Sequence, residues 1–86
     1  MPEISRFYGI IIQIYFADHP PPHFHALYGD STAVIDINHL SVLRGNLPPR
    51  ALGLVIEWAS IHQTELLKAF SQAQNMEMPT KILPLS

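Results

Sequence analysis

The sequence predicts an α+β fold, in which an antiparallel β-meander of three to four strands packs against one long C-terminal helix. Apolar residues alternate with other residues in the first half of the chain, which is typical of strands. In the second half they recur at three- and four-residue spacing, which is typical of an amphipathic helix. The change of period falls at Pro48-Pro49. Because proline is favoured in the first turn of a helix, the helix is expected to begin there.

The strand region covers about residues 7–44, and turn signals divide it. Pro20, Pro21 and Pro22 interrupt strand pairing because proline has no backbone N–H. Gly29-Asp30 predicts a tight turn, since glycine tolerates positive φ, and Asn38-His39 predicts another. Strands are therefore expected at 7–16, 23–28 and 32–37, with a short fourth strand at 41–44.

The helix is expected over about residues 49–74. Its predicted buried stripe consists of Leu52, Val55, Ile56, Ala59, Leu66 and Phe70. Leu54 and Trp58 flank this stripe and widen the apolar surface. Residues 75–86 follow as a short C-terminal segment, so the whole chain, 1–86, is expected to form a single domain.

Composition excludes several classes of protein. The 86 residues contain no cysteine, so disulfide scaffolds and cysteine-type zinc sites are excluded. The formal net charge is -2 with only five Lys and Arg residues, which does not favour nucleic acid as a partner. No apolar run approaches the length of a membrane helix and no signal-type N-terminus is evident, so we expect a cytoplasmic protein without membrane contact.

A histidine cluster is the most informative motif. His23 and His25 are two residues apart on a predicted strand, so both rings are expected on one face. His19 precedes them across the prolines, and Asp18 beside it offers a carboxylate. His19, His23 and His25 are thus candidate ligands for a divalent metal such as Zn, Ni, Cu or ferrous iron, although no cofactor is required by the pattern.

Two other interpretations of these histidines stay open. They can be structural and bond a neighbouring carboxylate, such as Asp30 or Asp36. Alternatively, His23 and His25 are a general acid and base in a small RNA-acting enzyme. An arginine would then steady the phosphate, for which the candidates are Arg6, Arg44 and Arg50.

Several blocks resemble a known family. They are the opening PEISRFYG, the PPHFH block at 21–25 with Tyr28-Gly29, AVIDI at 33–37, LPPRA at 47–51 and Glu57-Trp58. Together they closely resemble the bacterial domain-of-unknown-function family 4160 over nearly the whole chain, with PPHFH as the most specific signature. The resemblance implies a toxin–antitoxin-like gene context and assigns no catalytic or ligand residue.

The leading functional hypothesis is a small protein-interaction module of a toxin–antitoxin-like pair, without catalysis of its own. Its partner would be a small protein or a second copy of the chain. The predicted binding residues are His23, His25, Tyr28, Arg50 and Trp58, with Trp58 as the apolar anchor, since buried aromatic residues dominate interface energetics.

Overall fold

The computed structural model describes residues 2–86 and is an α+β fold. Five antiparallel strands form one sheet in the order β1-β2-β3-β4-β5, and two helices follow. The strands are β1 (Glu3–Phe7), β2 (Ile10–Gln13), β3 (His23–Tyr28), β4 (Ser31–Asp36) and β5 (Val42–Gly45). The helices are α1 (Pro49–Ile61) and α2 (Gln63–Gln74).

The prediction of one strand over 7–16 is wrong, because a hairpin turn separates β1, which ends at Phe7, from β2, and β2 already ends at Gln13. Tyr8 and Gly9 form the two-residue turn, with Phe7 paired to Ile10 across it. Both turn residues have positive φ, 51° for Tyr8 and 79° for Gly9, as the mirror-image hairpin turns require. The sheet therefore has five strands instead of three to four.

The rest of the meander follows the predicted order. β3 has the predicted bounds, and β4 and β5 each lie within one residue of them. The turn after β4 is held by Asp36, whose carboxylate accepts the backbone N–H of His39 at 2.8 Å. β5 then pairs with β4 through Arg44 opposite Val34 and Gly45 opposite Ala33.

The prediction of a single helix over 49–74 is also wrong, because the helix is interrupted at His62. This residue has φ -118° and ψ 24°, outside helical geometry, and joins α1 to α2. The buried helical residues are Ala51, Val55, Trp58, Ala59, Leu66, Ala69, Phe70 and Ala73. Their period continues through the break, so the pattern alone resembles one helix.

Trp58 lies in the centre of the core and not on the flank of the helical stripe. Its side chain is fully buried, and its ring centroid is 5.2 Å from that of Phe7 and 5.9 Å from that of Phe24. The stripe is rotated toward Trp58, so that Leu52 and Ile56 are only half-buried.

The C-terminal segment, 75–86, packs along this core without forming a helix or strand. The Trp58 indole N–H donates to the Leu83 carbonyl at 2.8 Å. The Ile82 N–H donates to the carbonyl of Ile4 in β1 at 2.8 Å, and the Ile82 side chain is buried. Within residues 2–86, neither helix has the length and apolar character needed to cross a membrane.

Candidate metal centre

Asp18, His23 and His25 form one group of side chains that could hold a metal ion. Their candidate ligand atoms all lie within 4.8 Å of one another. His23 and His25 are two residues apart on β3 and therefore project from the same face of the sheet, as predicted. Asp18 comes from the proline-containing connection between β2 and β3, which returns the carboxylate to the start of β3. All three side chains are largely buried, with 21% of Asp18 exposed.

The His23 ring is bracketed by two hydrogen-bond acceptors. Its Nδ1 lies 2.8 Å from the Pro21 carbonyl oxygen, and its Nε2 lies 2.8 Å from Asp18 Oδ2. A carbonyl oxygen only accepts, so Nδ1 carries a hydrogen and donates it. A neutral imidazole has no second hydrogen, and its Nε2 lone pair would then face a carboxylate oxygen. The ring nitrogen beside the carboxylate, Nε2, is therefore the one available to a metal ion.

The His25 ring is fixed by a second set of contacts. Its Nε2 lies 3.3 Å from the same Asp18 Oδ2. Tyr15, which follows β2, stacks on the ring with centroids 3.8 Å apart and planes inclined by 8°. Burial lowers the pKa of His25 below its usual range, with further lowering by the charges of His23 and Arg44, although the hydrogen bond to Asp18 opposes this effect. Burial thus favours the neutral ring, which is the form that ligates metals.

Asp18 is held in its ionised form. Burial alone would raise its pKa, but hydrogen bonds from the His19 backbone N–H, His23 and His25 outweigh it and lower the pKa to about 2. The His19 N–H donates to Oδ1 at 2.8 Å, so Oδ2 is left for the two rings. The carboxylate is accordingly charged at neutral pH and presents one oxygen to both histidines.

The predicted ligands are thus brought together only in part. His23 and His25 belong to the centre, whereas the His19 side chain is exposed and outside the ligand group. Asp18, noted in the sequence as a carboxylate beside His19, lies in that group. Among residues 2–86, neither histidine side chain forms a hydrogen bond with Asp30 or Asp36, the other carboxylates considered, because both bond to Asp18. Asp36 is nevertheless the residue of β4 that is paired with His23.

A shallow cavity of about 300 Å³ opens beside the centre. Asp18, His23 and the exposed His19 line it. Its other walls are formed by proline and aliphatic side chains, and Arg44 of β5 also lines it. Of the three arginines considered in the sequence, Arg44 is therefore the one beside the histidines.

The other two arginines lie elsewhere. Arg6 forms an ion pair with Glu3 at 2.7 Å. Arg50 lines a separate cavity of about 110 Å³, where it lies with Tyr8 and Tyr28. The predicted binding residues Tyr28 and Arg50 are therefore together, but at the end of β3 opposite to His23.

The expectation that Trp58 is an exposed anchor is corrected, because its side chain has no accessible surface. Tyr15 had no signal in the sequence, and Arg44 could not be distinguished there from Arg6 and Arg50. Tyr15 contacts His25 only because the chain leaves β2 along the same face. Arg44 approaches the centre only through the strand register, which places it beside Val34, the neighbour of His25.

Comparison with known proteins adds the family but no assigned function. No curated protein and no solved structure matches the chain. The model of the family described as "Domain of unknown function (DUF4160)" matches residues 9–71, which include β2 to β5, the histidine centre and most of the helical region. The chain therefore belongs to this family.

Proposed function

We propose that this protein binds one divalent transition-metal ion through Asp18, His23 and His25. The observation that carries the proposal is the His23 ring, with Nδ1 on the Pro21 carbonyl and Nε2 on Asp18. Histidines that ligate metals commonly donate their other ring N–H to a backbone carbonyl or carboxylate, which fixes the tautomer and aims the lone pair. His23 has this arrangement.

The spacing of the donor atoms also supports the proposal. Atoms bound to one ion at about 2.1 Å stand roughly 3.0–3.4 Å apart for angles between a right angle and the tetrahedral angle. The Nε2 atoms of His23 and His25 lie 2.8 and 3.3 Å from Asp18 Oδ2, which is close to that range. Small rotations of the two rings would therefore bring these distances to the values expected around one ion. Two imidazoles and one carboxylate suit ferrous iron, zinc, cobalt or nickel, and leave coordination positions free for another ligand.

The test is metal binding by the untagged protein after treatment with a chelator. Titration with Co²⁺, followed by its visible absorption, should reach one ion per chain. His25→Ala and Asp18→Asn should each weaken binding strongly, because each removes a ligand. His39→Ala is the matched control, since the His39 side chain is 80% exposed and lies against Asp36. Equal Co²⁺ affinity in His25→Ala and wild type would refute the proposal.

We propose, as a second candidate, the interaction role in a toxin–antitoxin-like pair. The outer strand β5 supports it, since Val42 and Leu43 are exposed apolar side chains on the last strand of the sheet. A small protein partner could add a strand there. Native mass spectrometry of the protein purified from its host would show one stoichiometric partner, lost in Leu43→Asp but retained in Leu67→Asp on α2. A bare monomer would contradict this role, and a homodimer would identify the partner as a second copy.

The RNA-acting alternative would use the same His23 and His25 with Arg44. Its support is the position of Arg44 in the cavity beside Asp18 and His23. The low content of Lys and Arg does not favour a long nucleic-acid ligand. Intact RNA after incubation with the metal-loaded and the metal-free protein, from pH 5 to pH 8, would exclude it.

A further inference from the structure

We propose that the cavity beside the metal centre binds an oxyanion, a phosphate or carboxylate group of an anionic ligand, and that Arg44 is its charged partner. The inference rests on the proposed metal site, because the ion would face the same oxyanion from the other side. Its basis is the position of Arg44, the absence of an ion-pair partner for it among residues 2–86, and the charge of the centre.

The strand register brings Arg44 toward the histidines. Gln13, His25, Val34 and Arg44 form one row across β2, β3, β4 and β5. Side chains in such a row project from the same face of a sheet, and strands two apart are separated by roughly 10 Å. An arginine side chain can cover much of that distance over the short Val34. Arg44 indeed lines the same cavity as Asp18 and His23.

Arg44 is available for a ligand. Throughout residues 2–86, the ion pairs of the structure are those of Arg6 with Glu3 and of histidines with carboxylates, and none includes Arg44. The carboxylate that shares its cavity, Asp18, is already bound by His23 and His25. A guanidinium presents parallel N–H donors that match the two oxygens of a carboxylate or phosphate.

The charge of the loaded centre selects an anion. Asp18 supplies a single negative charge, while a divalent ion and Arg44 supply an excess of positive charge around the same cavity. The neutral histidines contribute no negative charge to balance this excess. A ligand with negatively charged oxygens would complete the metal coordination and accept hydrogen bonds from Arg44 at the same time.

The remaining walls strengthen this interaction. Pro20, Pro21, Val34 and Leu43 line the cavity with carbon surface. Such walls reduce the contact of a bound ligand with water, so an ion pair there is stronger than one in open solvent. The volume of about 300 Å³ is at the lower end of the range of small-molecule sites, which fits one oxyanion group and a small substituent.

The experiment titrates Co²⁺-loaded protein with inorganic phosphate and, separately, with acetate. Binding is followed by the visible Co²⁺ bands and by the NMR signal of the Arg44 side-chain N–H. Arg44→Ala should weaken phosphate binding at least about tenfold, since it removes a charge-assisted hydrogen bond. Its Co²⁺ affinity should stay close to that of wild type. Arg50→Ala is the matched control, because Arg50 is an exposed arginine in the other cavity.

The outcomes separate the two proposals. Equal phosphate and acetate binding by Arg44→Ala and wild type, or no binding by either, overturns the oxyanion site and leaves the metal site standing. If Co²⁺ does not bind, the metal proposal fails, and the same titration of the metal-free protein decides the oxyanion site by its dependence on Arg44. Stronger binding of phosphate than of acetate identifies the ligand as a phosphate compound, and the reverse order identifies a carboxylate.

Discussion

His23 lies between two hydrogen-bond acceptors, so its two ring nitrogens have different roles. Its Nδ1 hydrogen is committed to the Pro21 carbonyl, and Nε2 is directed at Asp18. Metal binding by histidine in general becomes weaker on acidification, because protons compete for the ligating lone pair. If the centre binds the metal ion proposed above, these contacts fix both the tautomer of His23 and the direction of its ligating lone pair.

The metal-free centre should contribute to stability through Asp18. Its pKa is lowered from 3.8 to about 2, so the folded protein binds fewer protons than the unfolded chain between these values. The contribution is therefore present above about pH 4 and is lost as the pH falls toward about 2. With about 1.4 kcal/mol per pKa unit, it amounts to roughly 2 kcal/mol.

Asp18→Asn should accordingly lower the free energy of unfolding at pH 7 by about 2 kcal/mol, because the amide cannot carry the charge that the histidines stabilise. Urea unfolding with a chelator present, from pH 2 to pH 7, measures this effect. The difference between variant and wild type should shrink as the pH approaches 2. Asp30→Asn, in the exposed turn after β3, is the control. A constant difference over the whole pH range would contradict this origin of the stability.

At the level of elements, the register of β5 depends on Gly45. This residue has φ +72°, and a Cβ at its position would lie 2.2 Å from the Thr32 carbonyl oxygen. A side chain there must displace the backbone of β4 or β5. Arg44 is the preceding residue, so the same displacement would move it relative to the histidine centre.

Gly45→Ala should therefore destabilise the protein by about 1–3 kcal/mol, through a strained backbone and the close contact. Gly53→Ala is the matched control, because, apart from the adjacent residues and backbone of α1 itself, no atom of the described residues lies within 4 Å of the added Cβ on the exposed face of α1. There alanine should stabilise the helix by about 0.5–1 kcal/mol. Thermal unfolding of both variants measures the contrast, and the same sign for both changes would contradict it.

The C-terminal segment is attached to the core by the Trp58 indole. Trp58→Phe keeps most of the apolar volume but removes the hydrogen bond to the Leu83 carbonyl. We expect a loss of about 1–3 kcal/mol and faster hydrogen exchange at the Ile82 amide, which bonds to Ile4. The exchange at Ile12, in the middle of the sheet, should change only with global stability. Unchanged exchange at Ile82 would show that the segment is held without the indole.

The elements that the sequence predicted correctly are those whose local signals agree with the fold. β3 was predicted with its observed bounds, since the prolines before it and Gly29 after it limit the strand. The Tyr8-Gly9 turn was missed because tyrosine rarely adopts positive φ and the alternation continues on both sides. The break at His62 was missed because neither proline nor glycine lies there and the apolar period does not change.

For the whole molecule, binding of a metal ion only to the folded state should raise its stability. At a free Co²⁺ concentration one hundred times the dissociation constant, the gain is about 2.7 kcal/mol. In a domain of this size, each kcal/mol raises the melting temperature by about 4–8 °C. Differential scanning calorimetry should therefore show a rise of more than about 10 °C in wild type and His39→Ala, and almost none in His25→Ala. An equal rise in all three proteins would place the ion elsewhere.

The functional site was predictable only as far as local periodicity extends. The two-residue repeat placed His23 and His25 on one face of a strand. The approach of Asp18 depends on the path of the β2–β3 connection, and that of Arg44 depends on the register of three strand pairs. Trp58 was assigned to the surface because a small sheet appeared too narrow to cover it, whereas the C-terminal segment completes its burial.

The hydrogen bond between Ile82 and Ile4 joins residues near both ends of the described chain. The two regions are neighbours in space, so a short linker could connect them without crossing the sheet. New ends could then be opened at the exposed Gly29-Asp30 turn, away from the histidine centre. The fold is thus suited to circular permutation: the order of the strands along the chain could change while the arrangement of Asp18, His23 and His25 is preserved.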